Sequence, residues 1–217
     1  MELDFSVLLP YMHMFVKGVA VTIKASALGV FFGTVLGIFI GSLRVMPFKP
    51  IRWLMATYIY VLRGTPLMIQ LFLIYFGLPA VGINLDAFTS GIIGIGINSS
   101  GYMGEIVRGG IEGIPRGQWE AARMLGLSYA QTMKKIILPQ AVRHMLPAIG
   151  NEFVTLIKES SLLSVLAITD LTMVGQQVRS VTYASFETFI FVALVYLFLT
   201  SVTSGLLALL ERHWQVK

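Results

Sequence analysis

The chain has 217 residues, 56% of them hydrophobic and only 12% charged. That is about half the charge of a soluble domain, so a water-soluble enzyme is excluded and an integral membrane protein is expected. Its net charge of +5 invites a nucleic-acid reading, and the absence of cysteine removes disulfides, thiolate nucleophiles and Cys-ligated metals.

A membrane span needs roughly 20 mostly apolar residues. The opening "MELDFS" is acidic and lacks the basic start of a cleavable signal peptide. Five spans are expected, at about 19–43, 53–78, 87–104, 145–168 and 189–210, which makes the fold class all-α, a polytopic membrane protein. In the first, Ala25, Gly29, Gly33, Gly37 and Gly41 recur every four residues, a smooth ridge that another helix backbone can approach. The second is interrupted by "RGTP" at Arg63–Pro66 and should be kinked or unwound there. The third is short and rich in Gly and Ser. The fourth holds Glu152 and the pair Lys158–Glu159, and the fifth has no charge.

Five spans put the termini on opposite sides. Eleven Lys and Arg residues fall on one side: Arg44, Lys49 and Arg52; Arg108, Arg116, Arg123, Lys134, Lys135 and Arg143; and Arg212 and Lys217. Only Lys17 and Arg179 belong to the other. The positive-inside rule then places the eleven in the cytoplasm and the N-terminus outside. The same bias accounts for the basic charge with no nucleic acid.

The loop at about 111–140 contains "EAARMLGLSYAQTMKKIILPQA", water-compatible in a greasy chain. Trp119, Ala122, Leu125, Tyr129, Met133 and Ile136 form one apolar stripe at helical spacing. Such a helix suits either a lipid headgroup layer or a groove on a partner protein. A glycine costs a helix interior about 1 kcal/mol relative to alanine. Gly126 therefore favours a helix-turn-helix that presents a short helix to a partner, with Ser128 as the N-cap of its second helix.

Glu120-Ala121-Ala122, three residues, Gly126, nine residues, Ile136, one residue, Leu138-Pro139 resembles the EAA motif of ABC-importer permease subunits. "LRGTPLMIQLFLIYFGLP", "SGYMGEIVRGGI" and "KESSLLSVLAITDLT" are similar to the polar amino acid branch of that family, which has five spans. "NSSGYMGE" departs from the Ala-rich version expected around the Tyr. The resemblance implies a bacterial inner-membrane subunit that lines the pathway with a second permease chain, expected as a homodimer. It implies a separate ATP-binding cassette ATPase that hydrolyses the ATP and grips Glu120, Ala121, Ala122, Leu125, Gly126 and Tyr129. It also implies an extracytoplasmic solute-binding protein that delivers a polar amino acid, and no cofactor on this chain.

Intramembrane charges and helix breaks mark substrate candidates. Arg63 either holds a substrate carboxylate or pairs with a carboxylate of the bundle. Thr65, Leu67 and Gln70 follow the break and are candidates to line the pathway. Asn98 either joins two helices or binds ligand. Glu159 with Ser160 and Ser161 is the preferred substrate contact. Glu159 would favour a cationic side chain or take the α-amino group. Lys24 and Glu152 read as packing or interface charges, Glu105 and Arg108 as an i,i+3 pair, and Arg179 as a solvated charge in the outer loop. No GxxxxGK[ST] phosphate loop is present, and His13, His144 and His213 lack metal-ligand spacing. An ion-coupled secondary transporter leaves the loop pattern without a role, and a membrane enzyme lacks a second catalytic group beside Glu105, Glu152 or Glu159.

Overall fold

A computed structural model describes residues 3–215, with side chains as far as Glu211. The side chains of Arg212, His213 and Lys217 lie outside that range. The described residues are helices joined by short turns and extended links, with no strand among them.

A 3-10 segment, Phe5–Tyr11, leads into α1, Met12–Arg44. Then come α2 (Lys49–Gly64), α3 (Leu67–Phe72), α4 (Ala87–Glu112), α5 (Arg116–Met124), α6 (Tyr129–Thr132), α7 (Leu138–Glu159), α8 (Leu171–Thr182) and α9 (Ser185–Gln215). Phe5–Arg44 and Ser185–Glu211 are long and apolar enough to cross a membrane by themselves. Lys49–Gly64 and Leu67–Val81 pass that test only as a pair, bent by 104°. α4 and α7 do not pass it. α4 carries the buried Asn98, Ser99 and Ser100, and α7 carries Arg143, His144, Asn151, Glu152 and Lys158, so by length and composition the described residues mark two spans, or three with the bent pair, where five were expected.

α4 is the central post, and α1 lies along it. The glycine ridge of α1 is the reason. Partners advance in step: Gly29 faces Ile95, Gly33 faces Ser99, Gly37 faces Met103 and Gly41 faces Val107. A Cβ at Gly33 would lie 2.6 Å from Ser99, so only a bare backbone fits. The helices run parallel, and the expected ridge is a packing face.

Two prolines disturb the helix that precedes them. A proline lacks an N–H and its ring crowds the carbonyl four residues back. The chain relieves this with a widened π turn: Leu73–Gly77 before Pro79, and Met133–Ile137 leading up to Pro139.

Three apolar clusters hold the bundle. The central one joins Ala25 and Val30 of α1, Leu67 and Leu71 of α3, Ile92 and Ile95 of α4, and Leu156, Leu163 and Leu166. One end is closed by Leu8, Phe15, Leu171, Val174, Val178 and Val192. The other is closed by Val107, Ile111 and Ile114 against Ile137, Ala141 and Met145. The stretch read as a loop around Arg179 is the helix α8. It is capped by the buried Asp170, whose carboxylate accepts from the Met173 N–H at 2.8 Å, and docked by the Leu171 N–H on Thr22 Oγ1 at 3.1 Å.

Candidate functional site

The break in the bent arm is built by Gln70. Thr65 and Pro66 are extended, which frees backbone carbonyls at the end of α2. Gln70 Nε2 donates to Leu62 O at 2.9 Å, to Thr65 O at 3.2 Å and to Thr65 Oγ1 at 2.7 Å. Its Oε1 accepts from Asn98 Nδ2 at 3.1 Å. One side chain thus satisfies the break and ties it to α4.

Asn98, Ser99 and Ser100 are consecutive on α4 and all buried. Each is turned about 100° from the last, so each meets a different helix. Asn98 reaches Gln70 on α3. Ser99 Oγ donates to Glu152 Oε1 on α7 at 3.4 Å. Ser100 Oγ lies 2.8 Å from the Tyr58 hydroxyl on α2. These polar residues, which depart from the Ala-rich pattern, stitch three helices to the post.

Glu152, read as a packing charge, is buried on α7, and Glu159 is half-buried two turns further along. Neither has a cationic partner within 4 Å among the described residues. Ser160 is buried, and its hydroxyl donates to Ile157 O at 2.7 Å; Ser161 lends its carbonyl to Ser164 Oγ at 2.8 Å. Leu67 packs into the central core. Arg63 makes no ion pair with Glu152 or Glu159 within 4 Å; it lies 3.9 Å from Glu105, with its guanidinium 5.4 Å from the centre of the Tyr102 ring. Arg108 pairs with Glu105 through Nε to Oε2 at 3.0 Å and also binds Glu112. At the start of α4, Asp86 caps the helix, and hydrogen bonds from Thr89 hold its carboxyl below the usual carboxylate range.

The polar loop folds as a helix, a turn and a helix start. α5 ends at Met124, and Gly126 takes φ +73°, the left-handed conformation open to glycine. Ser128 then caps α6, and Gln131 returns the bond to the Ser128 N–H at 2.8 Å. The single apolar stripe is corrected here. Ala122 is fully buried, and Trp119, Met133 and Ile136 pack on the cluster that joins α4 to α7. Leu125, however, is 78% exposed, and Met124 beside it 89%. The turn at Gly126 resets the helical phase, so residues on its two sides do not continue one face. Glu120 and Ala121 are exposed, and the Tyr129 ring stacks on Trp119 at 5.7 Å between centres.

No cluster of three metal-ligating side chains occurs among the described residues. Residues 33–216 match the family described as binding-protein-dependent transport system inner membrane component. The chain belongs to this family. Members are permease subunits of ABC transporters, not enzymes, and carry no cofactor themselves. The permease is 37% identical over 213 residues to the arginine transport system permease protein ArtQ of Bacillus subtilis, covering 98% of this chain and 97% of that one. It is 36% identical over 218 residues to the glutamine transport system permease protein GlnP of Escherichia coli K12, covering both chains fully. It also matches a crystal structure of an amino acid ABC transporter with histidines, with a TM-score of 0.92 and 44% identity over 98% of this chain and 100% of that one.

Two features escaped the sequence reading. Ser99 facing Glu152 had no signal, because which helix it meets depends on how the helices stand around α4. The buried Asp170, whose Oδ2 accepts from the Tyr196 hydroxyl at 3.4 Å beside the Thr22 that docks Leu171, had none beyond an Asp three residues before Met173.

Proposed function

We propose that this permease forms half of the translocation pathway of an ATP-driven importer of polar, cationic amino acids. Two copies pair as a homodimer in the bacterial inner membrane. Each copy spans it five times, through α1, the bent α2–α3 arm, α4, α7 and α9. The N-terminus is outside, and the C-terminus and the 111–140 loop are cytoplasmic. A separate ATP-binding cassette subunit hydrolyses ATP and grips the loop through Glu120, Ala121, Ala122, Leu125, Gly126 and Tyr129. An extracytoplasmic solute-binding protein delivers the amino acid.

The observation that carries this reading is the pair Met124 and Leu125, two large apolar side chains exposed at the tip of an otherwise polar turn. Exposed apolar side chains at a rigid tip suit a protein groove. The base of the loop is packed on Ile111 at the end of α4, on Ile114 just beyond it, and on Ile137 and Ala141, so a push on the tip moves α4 and α7 as a unit. The bent arm, Asn98 and Glu159 with Ser160 and Ser161 lie beside the central apolar core and are the residues with which this copy lines its half of the pathway. Two carboxylates without cationic partners, Glu152 and Glu159, favour a cationic substrate. The arginine permease among the relatives supports the same substrate class.

Gentle purification of the tagged chain, with the stoichiometry of what accompanies it, tests the assembly. Two copies with two ATP-binding subunits are expected. Isolation of the chain alone, under conditions that keep known membrane complexes whole, would contradict it.

A further inference from the structure

Between the C-terminal end of α1, the helix α2 and α4 lies an open cleft of about 420 Å³, lined by Arg44, Thr57, Ile59, Tyr60, Arg63 and Glu105. Its charges do not balance. Glu105 is the one carboxylate in the lining, and Arg108 on the same helix binds both of its oxygens. Arg63 is left at 3.9 Å from that occupied carboxylate, with 43% of its side chain exposed. Arg44 has no carboxylate within 4 Å among the described residues. Two guanidinium groups therefore border one cleft without a full counter-charge. The planar guanidinium fork is matched to phosphate oxygens.

The rest of the cleft is of a different kind. Ile59 and Ala56 give it an apolar wall. Trp53, Leu54 and Tyr60, at 73%, 58% and 79% exposure, stand on the outer surface of α2. Trp and Tyr beside basic residues are the pattern of the membrane–water boundary. A ligand that is anionic at one end and apolar along its length satisfies both halves.

We propose that this cleft holds an anionic phospholipid of the cytoplasmic leaflet, its phosphodiester between Arg44 and Arg63 and an acyl chain along α2. The assignment to that leaflet rests on the sidedness proposed above. The lipid ties the end of α1 to the arm that leads into the break at Thr65.

The test uses the purified transporter complex, delipidated in mild detergent and read by native mass spectrometry. Phosphatidylglycerol and phosphatidylcholine with the same acyl chains are offered in turn. The complex should retain phosphatidylglycerol over phosphatidylcholine by about tenfold, the factor of one good charge-assisted contact. The preference should vanish in Arg44→Gln/Arg63→Gln and persist in Arg179→Gln, which removes a positive charge from α8. Equal retention of the two lipids by the unaltered complex would overturn the proposal, and needs no variant to fold. So would an unchanged preference in the double variant. Displacement of the lipid by millimolar glycerol phosphate would overturn it too, by making a soluble phosphate the ligand. Disulfide formation between Thr57→Cys in two copies would give the cleft to a second copy instead. Sidedness is read separately, because the chain has no cysteine of its own. Labelling of Gln118→Cys from the cytoplasm supports the leaflet, and labelling from outside overturns the leaflet while the lipid preference still tests the site.

Discussion

Asn98 donates its side-chain amide to Gln70 at 3.1 Å, and that bond joins the central helix to the break in the α2–α3 arm. Gln70 in turn satisfies two carbonyls and a hydroxyl of the break. The two residues form one structural unit. A residue at the break cannot move relative to α4 without losing a buried hydrogen bond.

Replacing Gln70 by Leu should therefore lower stability by about 1–3 kcal/mol, because buried acceptors lose their donor. Asn98→Leu should cost less, since it removes one bond where Gln70 loses four. The double variant should cost less than the two separately. Thermal unfolding of the purified permease in detergent measures all three.

The ridge on α1 makes a sharper claim. Gly33→Ala forces a Cβ to within 2.6 Å of Ser99, whereas Gly205 on α9 has nothing within 4 Å of an added Cβ. Gly33→Ala should destabilise by about 1–3 kcal/mol, as overpacking does. Gly205→Ala should be neutral or slightly stabilising. The same unfolding assay separates them, and equal effects would contradict the close approach.

The ridge, the interruption at Arg63–Pro66 and the turn at Gly126 were all legible in the sequence, because each rests on a local rule. Small residues at i+4 spacing make a face, a proline breaks a helix, and a glycine permits a left-handed turn. Pairing between helices was not legible. Nothing in "NSS" says which of three helices each polar side chain meets, since that depends on where α2, α3 and α7 stand around α4. The apolar stripe failed for a related reason. Leu125 and Tyr129 are four apart, but the turn between them breaks the periodicity on which the stripe depended. α8 was passed over because its 12 residues carry Gln176, Gln177 and Arg179 and so read as loop.

Gly126 offers a graded test of the loop. No atom lies within 4 Å of an added Cβ there, so a substitution meets strain but no clash. Gly126→Val should cost about 1–2 kcal/mol at the positive φ, leave the permease in the membrane and reduce ATP-driven uptake. Gly126→Asn should retain most uptake, because asparagine visits the left-handed region. Equal loss in both variants would mean that side-chain bulk, not backbone conformation, matters at the tip.

Glu152→Gln and Glu159→Gln address specificity. If the two carboxylates favour a cationic substrate, each change should lower uptake of arginine or lysine by about tenfold, equivalent to one charge-assisted hydrogen bond. Glutamine uptake, if present, should change little. Competition assays with labelled substrates in proteoliposomes give the ratio. An unchanged ratio in both variants would assign the carboxylates to structure.

The most direct measurement is amino acid uptake into proteoliposomes that hold this permease with its co-purifying ATP-binding subunit, supplied with the solute-binding protein. Uptake that requires ATP, and that falls to background when the ATP-binding subunit is left out, is the predicted result. Uptake by the permease alone, driven by an ion gradient without ATP, would contradict it.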